Sequence, residues 1–249
     1  MAPLIIAFSM YSKIPMPRVE WNDKNMKYAF CYFPLVGLVV GLITIGEYYL
    51  FTYLNMGVIF KTVFYMVTPL LVTGGIHFDG FIDTMDARNS YQDKEKKLEI
   101  LKDPHIGAFA LICSIIYYLI TMGFMSEITP TGIFIISIGY VYSRALSGLG
   151  VVTLKGAKSS GLVAMFSDMA KKKTVCVVMI CYIILGAIAM ILISPIIGAG
   201  ATIAGILSFL YYKKMSYKEF DGITGDLAGY FVQLCELSIL IITVICSKI

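Results

Sequence analysis

Three aspartates fall within eight residues of a chain that is otherwise strongly apolar. They are Asp79, Asp83 and Asp86, in the segment GGIHFDGFIDTMDARNS that spans residues 74–90. Their i, i+4, i+7 spacing places three carboxylates on one face of a helix, where they repel one another. A divalent cation relieves that repulsion, and magnesium typically bridges carboxylates to substrate phosphates. We therefore predict Asp79, Asp83 and Asp86 to be catalytic residues and Mg²⁺ ligands.

The alternative interpretation of the same segment is a solvated acidic helix end. The interspersed glycines Gly74, Gly75 and Gly80 favour the metal site, because they allow close backbone approach by a ligand. His77 stands beside the aspartates and is the best candidate for a general base, although a lone histidine near a membrane surface more often only forms hydrogen bonds.

A second polar patch, KEKKLEILKDPHIGAFA, starts at Lys94. Its first lysines are predicted to begin a helix, and contact with solvent or lipid headgroups is their favoured interpretation. Lys102 and Asp103 lie nearer the next apolar run, and we predict that they contact the substrate. Arg88 is the other predicted phosphate contact, since a basic rim beside an acidic metal site suits a phosphorylated substrate.

A third patch, DGITGDLAGYFVQLCELS, precedes and enters the last apolar run. Asp226 is predicted to be a further metal ligand, and Thr224 and Gly225 are predicted to contact the substrate. Glu236 lies inside the apolar run, where an acidic residue is costly and indicates function. It is predicted to bind substrate, and pairing with the in-span Arg144 is an equally weighted alternative.

The elements that must position these residues are transmembrane helices. The chain has 249 residues, of which 58% are hydrophobic and 14% charged, against about 25% charged in soluble domains. A bilayer is crossed by about 20 apolar residues. We predict an all-α, polytopic transmembrane helix bundle of about seven spans, forming one domain over residues 1–249. The predicted spans are 33–54, 58–75, 108–126, 131–149, 174–193, 196–212 and 230–247.

Basic residues predict the orientation of this bundle. The long polar segments 1–32, 76–107, 150–173 and 213–229 hold four, five, five and three of the 20 lysines and arginines. By the positive-inside rule these segments, with their loop helices and nearly all the carboxylates, are predicted to be cytoplasmic. We thus expect a multi-pass protein of the cytoplasmic membrane whose active face is cytoplasmic.

The remaining sequence features exclude several alternatives. The N-terminal segment has no basic stretch before its apolar patch and is predicted to be a short surface or re-entrant helix ended by Pro15 and Pro17, and not a cleaved signal. The six scattered cysteines lack CxxC spacing and are interpreted as packing residues. No Ser-His-Asp arrangement, Walker loop or strand-associated GxGxxG is present, which disfavours nucleoside triphosphate hydrolysis.

The motifs resemble those of the cobalamin synthase family, the adenosylcobinamide-GDP ribazoletransferases. The resemblance rests on the segments GGIHFDGFIDTMDA, LEILKDPHIGAFA and GITGDLAGYFVQLCEL in this order, with AFSMYSKIPMPR and YFPLVGLVVGLI near the start. The family usually has glycine where this chain has Ala87, a change that spares all three carboxylates. The resemblance implies a magnesium-dependent membrane transferase that joins adenosylcobinamide-GDP to α-ribazole or its 5′-phosphate and releases GMP.

The resemblance also implies the partners. They are the two substrates and the lipid bilayer, without nucleic acid. The sequence leaves open a homo-oligomer or a complex with other cobalamin-assembly enzymes. Two other functions stay open. A CDP-alcohol phosphatidyltransferase shares paired aspartates, but its complete pattern is absent. A transporter would explain Glu47, Arg144 and Glu236 within spans, yet most carboxylates cluster at one face.

Overall fold

The computed structural model describes residues 1–157 and 170–249. The helices, in chain order, are α1 (Ala2–Tyr11), α2 (Asp23–Met26), a 3-10 turn (Ala29–Tyr32), α3 (Phe33–Tyr53), α4 (Val58–Thr73), α5 (Ile76–Asn89), α6 (Lys94–Ile100), α7 (Ala108–Ser126), α8 (Pro130–Thr153), α9 (Lys172–Ile193), α10 (Pro195–Phe220) and α11 (Gly225–Cys246). The predicted polar segment 150–173 lies partly outside the described residues.

The described helices confirm the predicted all-α membrane bundle. Six of them, α3 and α7 to α11, are long and apolar enough to cross a membrane. Helices α4 and α5 meet that criterion only as a pair, bent by 96°, which brings the number of candidate spans to as many as seven. The predicted span 108–126 coincides with α7, because an unbroken apolar run marks both ends of that helix.

Two consecutive glycines produce the break between α4 and α5. Gly74 and Gly75 have φ angles of 66° and 77°, in the left-handed region that residues with a Cβ avoid. Gly74 ends α4 and Gly75 precedes the first residue of α5. The aspartate segment is therefore a separate helix that crosses the direction of the span before it.

The two C-terminal helices are longer than predicted. The prediction placed a polar connection at 213–229, but α10 continues to Phe220 and α11 begins at Gly225. The prediction was wrong because hydropathy marks only the apolar part of a helix, whereas backbone hydrogen bonding continues through polar residues. The correction places Asp226 in the first turn of α11.

Helix α8 forms the centre of the bundle. In its most apolar window 83% of residues are buried, compared with 17% for α9 and 22% for α7. The outer helices therefore keep most of their apolar side chains for lipid. All six cysteines are free thiols in this structure.

Candidate active site

Helix α5 presents its aspartates on the side opposite its buried face. The buried residues of this helix are His77, Phe78, Gly80, Phe81, Thr84 and Ala87. Asp79 is exposed, and Asp83 and Asp86 are half-buried. The predicted helical spacing is confirmed, and the carboxylates lie at the edge of the packed bundle, where a polar substrate has access.

Glycine brings α5 and α11 into backbone contact beside the aspartates. A Cβ atom at Gly80 would lie 2.5 Å from the carbonyl oxygen of Asp226 and 2.9 Å from its Cα atom. The contact continues along the helix, where the Phe81 and Tyr230 rings stack with centroids 5.7 Å apart. Because Gly80 lies between Asp79 and Asp83, this contact brings the first turn of α11 to the aspartate face.

Four carboxylates lie near one another at this junction. Asp83 is close enough to Asp79, Asp226 and Asp86 for their charges to repel its own. The structure thus brings together the aspartates of the first and third sequence patches, which are far apart in the chain. Half-buried carboxylates in such a group are stable as anions only with a compensating positive charge.

Part of that compensation for Asp86 comes from α7. A Cβ atom at Gly107 would overlap the Asp86 carboxyl group, so this carboxyl lies directly against the residue that precedes α7. The N-terminal end of a helix carries a partial positive charge and favours a carboxylate. Asp86 therefore has a structural contact in addition to its predicted role as a metal ligand.

Asp226 is held by the cap of its own helix. The Thr224 hydroxyl accepts a hydrogen bond from the Leu227 backbone N–H at 3.2 Å and lies 3.5 Å from Asp226 Oδ2. Gly225 is the first residue of α11. In this structure Thr224 caps the helix, and its hydroxyl lies next to the Asp226 carboxylate.

The donor set suits a hydrated magnesium ion. In residues 1–157 and 170–249, no three His, Cys, Asp or Glu side chains are close enough to hold a metal by themselves. Magnesium usually keeps several waters and takes one or two carboxylates together with substrate phosphates. The aspartates of α5 and α11 fit that mode of binding, in which the substrate completes the coordination.

His77 does not lie on the aspartate face. It is 4% exposed, and its ring packs between Tyr11 and Phe33 at centroid distances of 6.1 and 5.7 Å. Neither ring nitrogen has a hydrogen-bond partner among the described residues. Residues two apart on a helix point about 200° apart, so His77 and Asp79 face opposite sides. The geometry gives no support to His77 as the general base.

Arg88 binds an acidic residue of α10. Its Nη2 and Nε atoms donate to the two carboxylate oxygens of Glu219, each at 3.2 Å, and Nη1 donates to the Tyr230 hydroxyl at 3.0 Å. Lys97 also donates to Glu219 at 3.2 Å, and Lys94 pairs with Asp221. Arg88 and these two lysines of α6 thus tie α5 and α6 to the end of α10. No local sequence pattern indicated Glu219, which is 131 residues from Arg88.

The residues after α6 are more open to solvent. Lys102 is exposed and forms no ion pair among the described residues, so its side chain is free to contact a ligand. Asp103 accepts hydrogen bonds from His105, at 3.0 Å from the backbone N–H and 2.6 Å from Nδ1. The backbone hydrogen bond, followed by the side-chain bond, lowers the pKa of Asp103.

Glu236 and Arg144 form an ion pair in the centre of the bundle. The Arg144 Nη1 atom donates to Glu236 Oε1 at 2.7 Å and to the Tyr140 carbonyl at 2.8 Å. The arginine side chain is 1% exposed and the glutamate 10%. The structure confirms the pairing that the sequence left as one alternative, and it places Glu236 away from the aspartate face.

Known proteins match this chain over nearly its whole length. Residues 3–244 match the family model described as cobalamin-5-phosphate synthase. An adenosylcobinamide-GDP ribazoletransferase of Lachnoclostridium phytofermentans is 49% identical over 94% of this chain and 90% of its own length. Relatives of the same name from Treponema denticola and Clostridium botulinum are 35% and 33% identical, covering 96% and 94% of this chain and 96% and 93% of their own lengths. No solved structure matches.

Proposed function

The chain belongs to the cobalamin-5-phosphate synthase family, and from this we propose that it is an adenosylcobinamide-GDP ribazoletransferase. The enzyme transfers the adenosylcobinamide phosphate moiety of adenosylcobinamide-GDP to α-ribazole or α-ribazole 5′-phosphate. The products are GMP and adenosylcobalamin or its 5′-phosphate. The structural observation that supports it is the junction at Gly80, where the aspartate-bearing helix α5 contacts the backbone of Asp226 in the first turn of α11.

The reaction exchanges one phosphorus–oxygen bond for another. A ribose hydroxyl of α-ribazole attacks the cobinamide-linked phosphorus of the diphosphate, and the bond to the GMP oxygen breaks. The hydroxyl proton is lost and GMP carries away the bonding electron pair. Because His77 is buried away from the aspartates, we assign the acceptance of that proton to a carboxylate of the α5 face.

We propose Mg²⁺ as the cofactor, held by Asp79, Asp83, Asp86 and Asp226 directly or through water. When bound, it neutralises phosphoryl oxygens and stabilises the leaving phosphate. Two contacts within the protein position these carboxylates. The Gly80 contact sets α5 against α11, and the Thr224 hydroxyl lies beside Asp226. Lys102 is the proposed phosphate contact, because it is the one lysine of the second patch that forms no ion pair with a described residue.

The surroundings of the other predicted substrate contacts decide which of them we propose to touch the substrate. Arg88 is already bound to Glu219 and Tyr230, so a phosphate contact requires it to share its guanidinium. Asp103, Thr224 and Gly225 lie in segments that border the aspartate face, and they stay proposed contacts. Glu236 acts on the substrate only if its ion pair with Arg144 opens, and we propose a structural role for it.

The proposed setting is the cytoplasmic membrane, with the aspartate face in the cytoplasm, where nucleotide substrates are available. The excess of lysine and arginine in the segments at this end supports that orientation. A cysteine-accessibility experiment at exposed positions such as Asp103 tests it in intact cells. A homo-oligomer, or a complex with other cobalamin-assembly enzymes, is a further proposal that light scattering of the detergent-purified protein tests.

The decisive test of function is a product assay with the purified protein in lipid. Incubation with adenosylcobinamide-GDP and α-ribazole is expected to release GMP in proportion to new cobalamin, and chelation of divalent metal is expected to abolish it. Release of CMP from a CDP-linked lipid, without GMP, would instead establish a phosphatidyltransferase. Uptake of substrate into sealed vesicles without turnover would establish a transporter.

A further inference from the structure

An open groove lies beside the aspartate face, on the side of the N-terminal segment. Its volume is about 560 Å³, and it runs between the end of α1, the α4–α5 break and the first turns of α5. Lys13, Gly74 and Asp79 are among the residues that line it. We call it the Lys13 groove. Lys13 is in the N-terminal segment and was not among the predicted site residues.

Two contacts fix Lys13 in the wall of the groove. Its backbone N–H donates a hydrogen bond to the Val72 carbonyl at 2.8 Å. Its side chain runs over Gly74, where an added Cβ atom would lie 2.7 Å from Lys13 Cγ and 2.9 Å from Cδ. The glycine that breaks the α4–α5 pair therefore also leaves the space that the lysine stem occupies.

No described residue neutralises the charge of Lys13. Lys13 is exposed and has no ion-pair partner in the described part of the chain. Asp79 is also exposed and forms no ion pair there. A cation and a carboxylate thus line one groove without bonding to each other. An ammonium group is a common phosphate-binding charge, and a phosphate between the two walls would contact Lys13 while facing the acidic side where the metal is proposed.

We propose that Lys13 binds a phosphate group of the substrate at the entrance to the aspartate face. The naming of the substrates rests on the proposed function. The phosphate has two possible sources, the diphosphate of adenosylcobinamide-GDP and the 5′-phosphate of α-ribazole 5′-phosphate. Both present the same chemistry to an ammonium group, and the experiment separates them.

The kinetic test compares Lys13→Ala and Lys13→Arg with Lys24→Ala, a matched change of an exposed lysine on α2. Loss of a hydrogen bond to a charged group is expected to raise a KM about 10-fold to 100-fold. A rise confined to adenosylcobinamide-GDP assigns Lys13 to the diphosphate. A lost preference for α-ribazole 5′-phosphate over α-ribazole assigns it to the 5′-phosphate. Lys13→Arg should recover most of the affinity, and Lys24→Ala should stay within twofold of the unaltered protein.

A binding measurement keeps the two proposals separable. Equilibrium dialysis of the same variants with adenosylcobinamide-GDP and with α-ribazole 5′-phosphate needs no turnover. If the unaltered protein releases no GMP, the proposed function fails, and dialysis still decides the role of Lys13. If Lys13→Ala binds both ligands as tightly as the unaltered protein, or the unaltered protein binds neither, the assignment of Lys13 is overturned.

Discussion

Replacement of Gly80 with alanine tests whether the position of α5 against α11 determines activity. The added Cβ atom would lie 2.5 Å from the Asp226 carbonyl oxygen and 2.9 Å from its Cα atom. Both partners are backbone atoms and cannot rotate away. Since nonbonded atoms prefer about 3.5 Å, the two helices must separate by roughly 1 Å at this point.

That separation falls where the aspartates of the two helices meet. A misplacement of about 1 Å can reduce the rate of an enzyme about 100-fold. Overpacking of a close contact lowers the free energy of unfolding by about 1–3 kcal/mol. Gly80→Ala is therefore expected to lose about 100-fold in the rate of GMP release while the protein still inserts and folds.

The assay measures kcat for GMP release and the thermal unfolding midpoint in the same detergent preparation. Gly123→Ala is the matched control, because a Cβ atom at that position of α7 meets nothing within 4 Å. Activity of Gly80→Ala within twofold of the control, at an unchanged unfolding midpoint, would refute the importance of this helix contact.

Three further changes probe the neighbouring contacts. Glu236→Ala leaves Arg144 buried without its partner and should lower the free energy of unfolding, measured by denaturant titration, by about 3–5 kcal/mol. A double variant, Arg144→Met with Glu236→Met, should recover most of that stability. Equal stability of the unaltered protein, the single variant and the double variant would contradict the structural role. Glu219→Gln weakens the bonds to Arg88 and Lys97, so trypsin should cleave near α6 faster than in the unaltered protein, and an unchanged cleavage rate would show that these pairs do not hold α6. Gly107→Ala displaces the Asp86 carboxyl group and should reduce GMP release about tenfold or more, and full activity would show that Asp86 does not need its observed position.

Six of the seven predicted spans correspond to single long helices, because apolar runs of sufficient length have one stable arrangement in a bilayer. The predicted span 58–75 corresponds to α4, which meets the criterion only together with α5. The i, i+4, i+7 spacing also correctly predicted a shared face for Asp79, Asp83 and Asp86. Hydropathy failed where helices continue beyond the apolar region, as α10 does to Phe220. There the limit of the helix is set by the left-handed Asp221, with a φ of 59°, and not by polarity.

The parts of the site that depend on long-range contacts could not be predicted. The pairing of Arg88 with Glu219 and the contact of Gly80 with Asp226 join segments that no local pattern connects. The position of His77, by contrast, could be predicted from sequence, because its two-residue offset from Asp79 already places it on the other side of the helix. Lys13 had no recognisable signal until the groove beside Gly74 was visible.

The most direct test of the central claim is the rate of GMP release by Asp83→Asn as magnesium is varied. Asp83 interacts with all three other carboxylates of the junction, and asparagine keeps its size while removing its charge. The proposed function predicts a loss of about 100-fold to 1,000-fold, at an unchanged amount of folded protein in the membrane. A rate and magnesium dependence within twofold of the unaltered protein would contradict the assignment of the aspartate face as the catalytic centre.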